Sequence, residues 1–236
     1  MNMALEELIA LDKEALLWFN SAQSPFLDSL VPLLTSGWVW IPLYIGLFYL
    51  VVKNNETMAQ IVLVCVGVLL CVLLSGGIDD MIIKPVVGRL RPCNDPSIAN
   101  HLSLIHGMRQ LDFSFFSAHS ANTMSVAIFF CLLVRDKLLN STLIFWSLLN
   151  GWTRLYLGVH FPTDVLTGFI YGAIAGILVY LGYHKLYNRI SPKINYISTQ
   201  YTSTGYSKTD LDVVIGLMVL ILAVAIIGAL INVLTY

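Results

Sequence analysis

Thr153-Arg154-Leu155-Tyr156-Leu157-Gly158-Val159-His160-Phe161-Pro162-Thr163-Asp164 stands between the uncharged runs 138–153 and 165–184. The block decides the fold because it reads as a boundary between two spans. A membrane span takes about 20 apolar residues. A charge at its margin is costly unless it is paired or functional. Pro162 suits the first position of a new helix. That puts Asp164 in the first turn and His160 just before it. Four residues separate the two, so their side chains can meet. A carboxylate bonded to one ring nitrogen fixes the tautomer and leaves the other nitrogen free to attack. Taken alone, a capping Asp beside an interfacial His reads equally well.

Working outward, uncharged runs also cover 29–52, 57–78, 113–134 and 213–236. Backbone groups in lipid must be satisfied internally, so runs of this length should be helices. The fourth run, 138–153, reaches span length by continuing through Leu157. The expectation is an all-α polytopic bundle of about six transmembrane helices. Composition agrees: 57% of the 236 residues are hydrophobic and 11% charged, with mean hydropathy +0.78, whereas soluble domains carry about 25% charged residues. The net charge of −1 argues against a bulk electrostatic nucleic-acid binder. Cys65, Cys71 and Cys131 lie in apolar runs and Cys93 in a loop. They read as buried thiols, with no metal or disulfide spacing.

Residues 3–20 alternate Leu5, Leu8, Ile9, Leu11, Leu16 and Leu17 with Glu6, Glu7, Asp12, Lys13 and Glu14. This predicts an amphipathic interfacial helix over 1–25, with a cap on the bundle as the alternative. A membrane-embedded core over 26–186 follows, then a polar linker over 187–210 and a separate C-terminal transmembrane helix over 211–236. The acidic N-terminus lacks a cleavable-signal pattern, so the chain is expected to insert through its own spans.

This order of spans places three charged blocks on one face. Apart from the block residues, that face carries the cations Lys13 and Arg109. The other carries Lys53, Arg135, Lys137, Lys185, Arg189, Lys193 and Lys208. The positive-inside rule then makes the second face cytoplasmic. The charged blocks and both termini are expected outside.

The first block is Lys84-Pro85-Val86-Val87-Gly88-Arg89-Leu90-Arg91-Pro92. Arg grips two phosphate oxygens with a planar fork, and Lys adds a point charge. If helix continues here, Lys84 and Arg91 share a face, and Pro92 ends it. Alone, this is also a basic interfacial flank. The second block, Phe116-Ser117-Ala118-His119, opens the third run. A helix N-terminus offers free N–H groups and the positive end of a dipole to an anion. Ser117 suits a cap or a phosphate donor, and His119 a general acid. Alone, the block reads better as an ordinary cap with an interfacial His. Arg154 adds a third cation. Together, three cations and two histidines suit holding a phosphoryl group and breaking its bond.

The joint pattern resembles the type 2 phosphatidic acid phosphatase (PAP2) family of integral membrane lipid phosphatases. That signature is Lys, six residues, Arg-Pro; then Pro-Ser-Gly-His; then Ser-Arg, five residues, His, three residues, Asp. Lys84, Arg91 and Pro92 fit the first part, and Ser117 and His119 the second, with Phe116 for Pro and Ala118 for Gly. Arg154, His160 and Asp164 fit the third, with Thr153 for Ser. The resemblance covers roughly 38–185. The Ala118 departure is harmless if residue 118 is already helical. It would matter if φ > 0 were needed there.

The resemblance implies a phosphatase with three catalytic residues. His160 attacks phosphorus, Asp164 orients it, and His119 protonates the leaving oxygen and then activates water. Lys84, Arg91, Arg154, Ser117 and the backbone of Ala118 bind phosphate. No metal or other cofactor is implied, and no obligate protein partner beyond the lipid substrate and the bilayer. Residues 93–112 are the expected specificity element. Arg89 and Arg109 are candidate specificity contacts, and Arg109 would favour a diphosphate. Its histidines, His101 and His106, are expected to face solvent. Undecaprenyl diphosphate in the outer leaflet of a bacterial inner membrane is the first expected substrate, with the site facing the periplasm. Lipid A and phosphatidylglycerophosphate are the alternatives. A lipid transporter or scramblase would show polar, broken mid-bilayer helices, and a silent relative would lack a reactive residue. Spans two and six carry almost no polar residues, and all seven reactive residues are present.

Overall fold

The computed structural model describes residues 3–107, 109–190 and 199–235, and these are helical with no strand. Helix α1 (Met3–Ser21) is followed by α2 (Pro25–Thr35), capped by the Ser24 hydroxyl, which accepts from Leu27 N–H at 3.2 Å. The expected first span is broken. A 3₁₀ turn, Gly37–Trp40, separates α2 from α3 (Ile41–Lys53), and the two meet at 66°. Gly37 is a poor helix former and Pro42 cannot donate into a preceding turn. The Trp40 indole N–H clasps the bend on Leu34 O at 2.7 Å.

Helix α4 (Met58–Val72) opens on a capping box made by Thr57 and Gln60. It passes through two π-helical turns, Leu73–Gly77 and Asp79–Ile83, into the short α5 (Lys84–Val87). The first π turn sits where Asn122 reaches in from a neighbouring helix. Its Oδ1 accepts from Ser75 Oγ at 2.7 Å and from Gly76 N–H at 2.8 Å. An inserted side chain is a recognised cause of such a disruption. Helix α5 ends at Gly88, φ 62°, rather than at Pro92. Gly takes this left-handed conformation without a Cβ penalty. Lys84 and Arg91 therefore do not share a helical face, and Arg91 is brought round by the loop.

Helix α6 (Ala118–Val134) packs along α8 (Pro162–Ile190), with α7 (Lys137–Tyr156) beside them. Gly168, Gly172 and Gly176 form a flat stripe on α8. A Cβ at any of them would run into the α6 backbone at Ser117, Ala121 and Ser125 respectively. Small residues at this spacing let helix backbones approach closely in a membrane. That approach lets Ser117 N–H donate to Asp164 O at 3.1 Å, so the starts of α6 and α8 are tied together.

Among the described residues, three stretches are long and apolar enough to cross a membrane: Met58–Asn94, α8 and α9 (Lys208–Thr235). The bent α2–α3 pair makes a fourth if counted as one. Against the six expected, α6 is a shorter apolar helix that starts at Ala118 rather than 113, because Ser117 caps it. Helix α7 carries buried Ser147, Asn150, Thr153 and Arg154 toward the bundle. Helix α9 packs Val214, Met218 and Ile221 into the main core with Leu43, Leu47 and Trp146, so it is not a separate helix.

Part of the linker expected over 187–210 is helical, since α8 runs to Ile190. Residues 191–198 lie outside the described residues. Of the thiols, Cys71 and Cys93 are buried as expected, but Cys65 is exposed and Cys131 half-buried, on outward-facing helix surfaces. Helix α1 lies across the end of the bundle. Asp12, Leu16 and Asn20, spaced four apart, are buried against it. Leu11 and Trp18 stay exposed on the opposite flank, and Leu8 is exposed one turn before Asp12.

Candidate active site

Lys84, Arg91, Ala118, His119, Arg154 and His160 line one cavity of about 550 Å³, with Asp80, Gln110, Asp112 and Asn122. Four segments distant in sequence build it. The start of α5 brings Lys84 and the loop after it Arg91, the first turn of α6 brings Ala118 and His119, the last turn of α7 brings Arg154, and the α7–α8 loop brings His160. Ser117 is the N-cap of α6 and is fully buried, its hydroxyl accepting from Ser120 N–H at 3.4 Å. Ala118 is helical and not at positive φ, so its methyl costs no backbone strain. The first N–H groups of α6 lack an i−4 acceptor; that of Ser120 is taken by the Ser117 hydroxyl, and Ala118 and His119 line the cavity.

Each cation is held by named partners. Arg91 Nη2 meets Asp112 Oδ2 at 2.8 Å, and its Nη1 donates to Val159 O at 3.0 Å and lies 2.8 Å from His160 Nε2. Arg154 is 3% exposed and donates to Thr35 Oγ1 at 2.8 Å and Gln110 Oε1 at 3.0 Å. Lys84 Nζ pairs with Asp80 at 2.5 Å, Asp79 at 3.4 Å and Asp112 at 3.8 Å. Asp79, fully buried, also accepts Phe116 N–H at 3.1 Å. It therefore links the lysine to the entry of α6.

The His160 ring lies between Arg91 and Asp164. Its Nδ1 faces Asp164 Oδ2 at 3.6 Å, beyond hydrogen-bond range. Asp164 is fully buried and is held by Phe161 N–H at 2.9 Å and by Arg89 Nη1 at 2.7 Å. Burial, and then the charges of Arg91, Arg154 and Lys84, hold the His160 imidazole well below its ordinary pKa. This favours the neutral imidazole. Since a guanidinium can only donate, the Nε2 lone pair accepts from Arg91 Nη1 and the ring proton belongs on Nδ1, toward Asp164. Partial burial pushes the Asp112 carboxyl up, but its bond to Arg91 and the charges of Arg91 and Lys84 outweigh this and hold it below the usual range.

Two sequence expectations are redirected. Arg89 is not among the residues lining the cavity. It turns away, to Asp164 and Asp12. Arg109 is exposed and also off the cavity lining, and Asp112 pairs with Arg91 and Lys84. His101 is exposed, while Met108 and the side chain of His106 lie outside what is described. The sequence reading missed Asp79, Asp80, Gln110 and Asn122. A signal was present for the first two: paired carboxylates ending an apolar run four and five residues before Lys84 demand a partner. Gln110 and Asn122 carried none.

A buried ring of cations around a neutral histidine, in a helical membrane bundle, defines an anion-handling site of phosphatase type. The chain belongs to the PAP2 superfamily, whose family model matches residues 60–188. It is 33% identical to a lipid A 4'-phosphatase of Bacteroides thetaiotaomicron over 92% of this chain and 95% of that protein. The undecaprenyl-diphosphatase BcrC of Bacillus subtilis is 32% identical over only 29% of this chain and 35% of that protein. The crystal structure of Aquifex aeolicus LpxE superposes with a TM-score of 0.55 at 27% identity, covering 70% of this chain and 92% of that one. The protein is a membrane-embedded lipid phosphatase.

Proposed function

We propose that the protein removes a phosphate group from a lipid phosphomonoester of the lipid A kind, through a phosphohistidine on His160. The observation that carries this is the convergence of Lys84, Arg91, Arg154, His119 and His160 on one cavity. The expected first substrate, undecaprenyl diphosphate, gives way to the alternative. The relative named for lipid A matches nearly the whole chain, and the one named for undecaprenyl diphosphate about a third. Arg109, which would have gripped a second phosphate, is exposed and off the cavity lining.

In this reading His160 Nε2 attacks phosphorus, because Nδ1 is turned to Asp164. A P–N bond forms as the P–O bond to the lipid breaks. His119 gives its proton to the departing oxygen. Water then attacks phosphorus while His119 takes its proton, the P–N bond breaks, and phosphate leaves with His160 restored. Lys84, Arg91, Arg154 and the first N–H groups of α6 neutralise the oxygens in both steps. The site opens on the periplasmic face of a bacterial inner membrane, where lipid headgroups present their phosphates.

The test is phosphate release by purified protein in detergent from a panel of lipid A, phosphatidylglycerophosphate and undecaprenyl diphosphate, with and without EDTA. Lipid A is expected to turn over fastest. Three protein cations are expected to suffice for charge neutralisation, so EDTA should leave the rate unchanged and vanadate should inhibit. Turnover that collapses in EDTA and returns with Mg²⁺ would contradict the mechanism. A preference for the diphosphate would restore the other substrate.

A further inference from the structure

We propose that Asp12, on the N-terminal helix, is a positioning residue for the His160–Asp164 pair and acts on it through Arg89. The proposal rests on the reading of His160 as the attacking group. Helix α1 lies outside the matched family segment 60–188, so the active centre would include a residue from beyond it.

One guanidinium lies between two buried carboxylates. Arg89 Nη1 is 2.7 Å from Asp164 Oδ1, and Arg89 Nη2 is 2.6 Å from Asp12 Oδ2. The Asp12 side chain is 3% exposed and that of Asp164 fully buried. The guanidinium carbon sits 3.9 Å over the ring of Phe161, the residue after His160. Asp12 also grips the first turn of α8 directly. Its Oδ1 accepts Thr163 N–H at 2.9 Å, and its Oδ2 the Thr163 hydroxyl at 2.6 Å. Thr163 Oγ1 in turn accepts from Arg89 Nη1 at 2.8 Å. Asp12 thus reaches Asp164 through a single intermediary, either Arg89 or the adjacent Thr163.

The charge balance gives the cluster a catalytic consequence. Arg89 paired with Asp164 alone would cancel the carboxylate that His160 faces. Asp12 adds a second carboxylate, so the trio carries one net negative charge. His160 gains positive charge as its bond to phosphorus forms. A fixed negative group behind it stabilises that state. Arg91, Arg154 and Lys84 all press the other way, so the negative trio is the counterweight that keeps a phosphorylated histidine attainable. A purely structural role, docking α1 on the bundle, would instead affect stability and leave the chemical step alone.

The experiment is a double-variant cycle in purified full-length protein: wild type, Asp12→Asn, Asp164→Asn and both together. Phosphate release from lipid A is measured over a range of substrate concentrations. Asp12→Asn is expected to lower kcat roughly 10- to 100-fold, the usual cost of losing an outer partner of a reacting group. KM should stay within about 2-fold, and the double variant should be no slower than Asp164→Asn alone, because residues acting as a unit are non-additive. Asp12→Glu, which keeps the charge, should retain more of kcat than Asp12→Asn. If Asp12→Asn does not accumulate as folded protein, Asp12→Glu carries the same cycle. An inactive wild type would overturn the phosphatase reading itself. An active wild type with full kcat in Asp12→Asn, losses that multiply in the double variant, or equal loss in the Glu and Asn variants would overturn this proposal alone.

Discussion

Asp112 holds Arg91 from two sides. Its Oδ2 lies 2.8 Å from Nη2, and its Oδ1 and backbone carbonyl each accept from Nε at 3.1 Å. The same Oδ2 is 3.8 Å from Lys84 Nζ. A carboxylate thus sits on two of the cations that a phosphate needs, with its own side chain 58% exposed to the cavity mouth. Charge-assisted, forked pairs of this kind are among the stronger hydrogen bonds.

Asp112 therefore competes with the anion and must give way to it. Asp112→Asn is expected to tighten inhibition by vanadate several-fold, within the ~10-fold that about 1.4 kcal/mol represents. Unchanged or weaker inhibition would show that Asp112 does not oppose anion entry. The pair also has a pH signature. The folded-state pKa of Asp112 is depressed, so its stabilising effect is fully present above the unfolded value of about 3.9. It is lost as pH falls through the lower folded value. In thermal melts, the stability gap between wild type and Asp112→Asn should hold from neutral pH to about 4 and close below it.

His119 acts on the leaving oxygen, so its loss should hurt most when that oxygen is a poor leaving group. A lipid alkoxide needs a proton, and p-nitrophenolate hardly does. His119→Ala is expected to retain a larger share of wild-type activity on p-nitrophenyl phosphate than on lipid A. Equal losses on the two substrates would remove the acid role from His119.

The proposed outward orientation rests on the count of non-motif cations, and two exposed residues test it. Asn100 is exposed in the loop beside the site, and Glu56 is exposed at the opposite end of the bundle. In intact spheroplasts, a cysteine at Asn100 should react with an impermeant thiol reagent and one at Glu56 should not. Cys93 is buried and Cys65 lies on an apolar helix face, so neither should contribute background. The reverse pattern would turn the site to the cytoplasm.

Much of the site was legible in the sequence because charge is scarce here. Lys84, Arg91, Arg154, His119 and His160 stand out against uncharged runs, and all five converge. The helices were legible from the same runs, but not their breaks. The kink between α2 and α3 depends on a Trp40 clasp, and the π turn at Leu73–Gly77 on Asn122 from another helix. The first is a side-chain-to-backbone bond that the apolar pattern does not encode, and the second partner is distant in sequence. Arg89 was expected as a specificity contact, but Gly88 ends the helix just before it and its guanidinium meets Asp12 and Asp164. The carboxylate partners were missed because attention to cations left open how those cations are balanced when buried.

The central claim is that His160 carries the phosphate covalently. The most direct measurement is a single-turnover reaction with radiolabelled lipid phosphate, stopped in alkali, where phosphohistidine survives. Wild type should carry label on the protein. His160→Ala should carry none and release no phosphate, whereas His119→Ala, given radiolabelled p-nitrophenyl phosphate, whose leaving group hardly needs a proton, should trap label, since the same histidine is needed to activate water. Label that persists in His160→Ala, or that disappears only in His119→Ala, would contradict the account and exchange the roles of the two histidines.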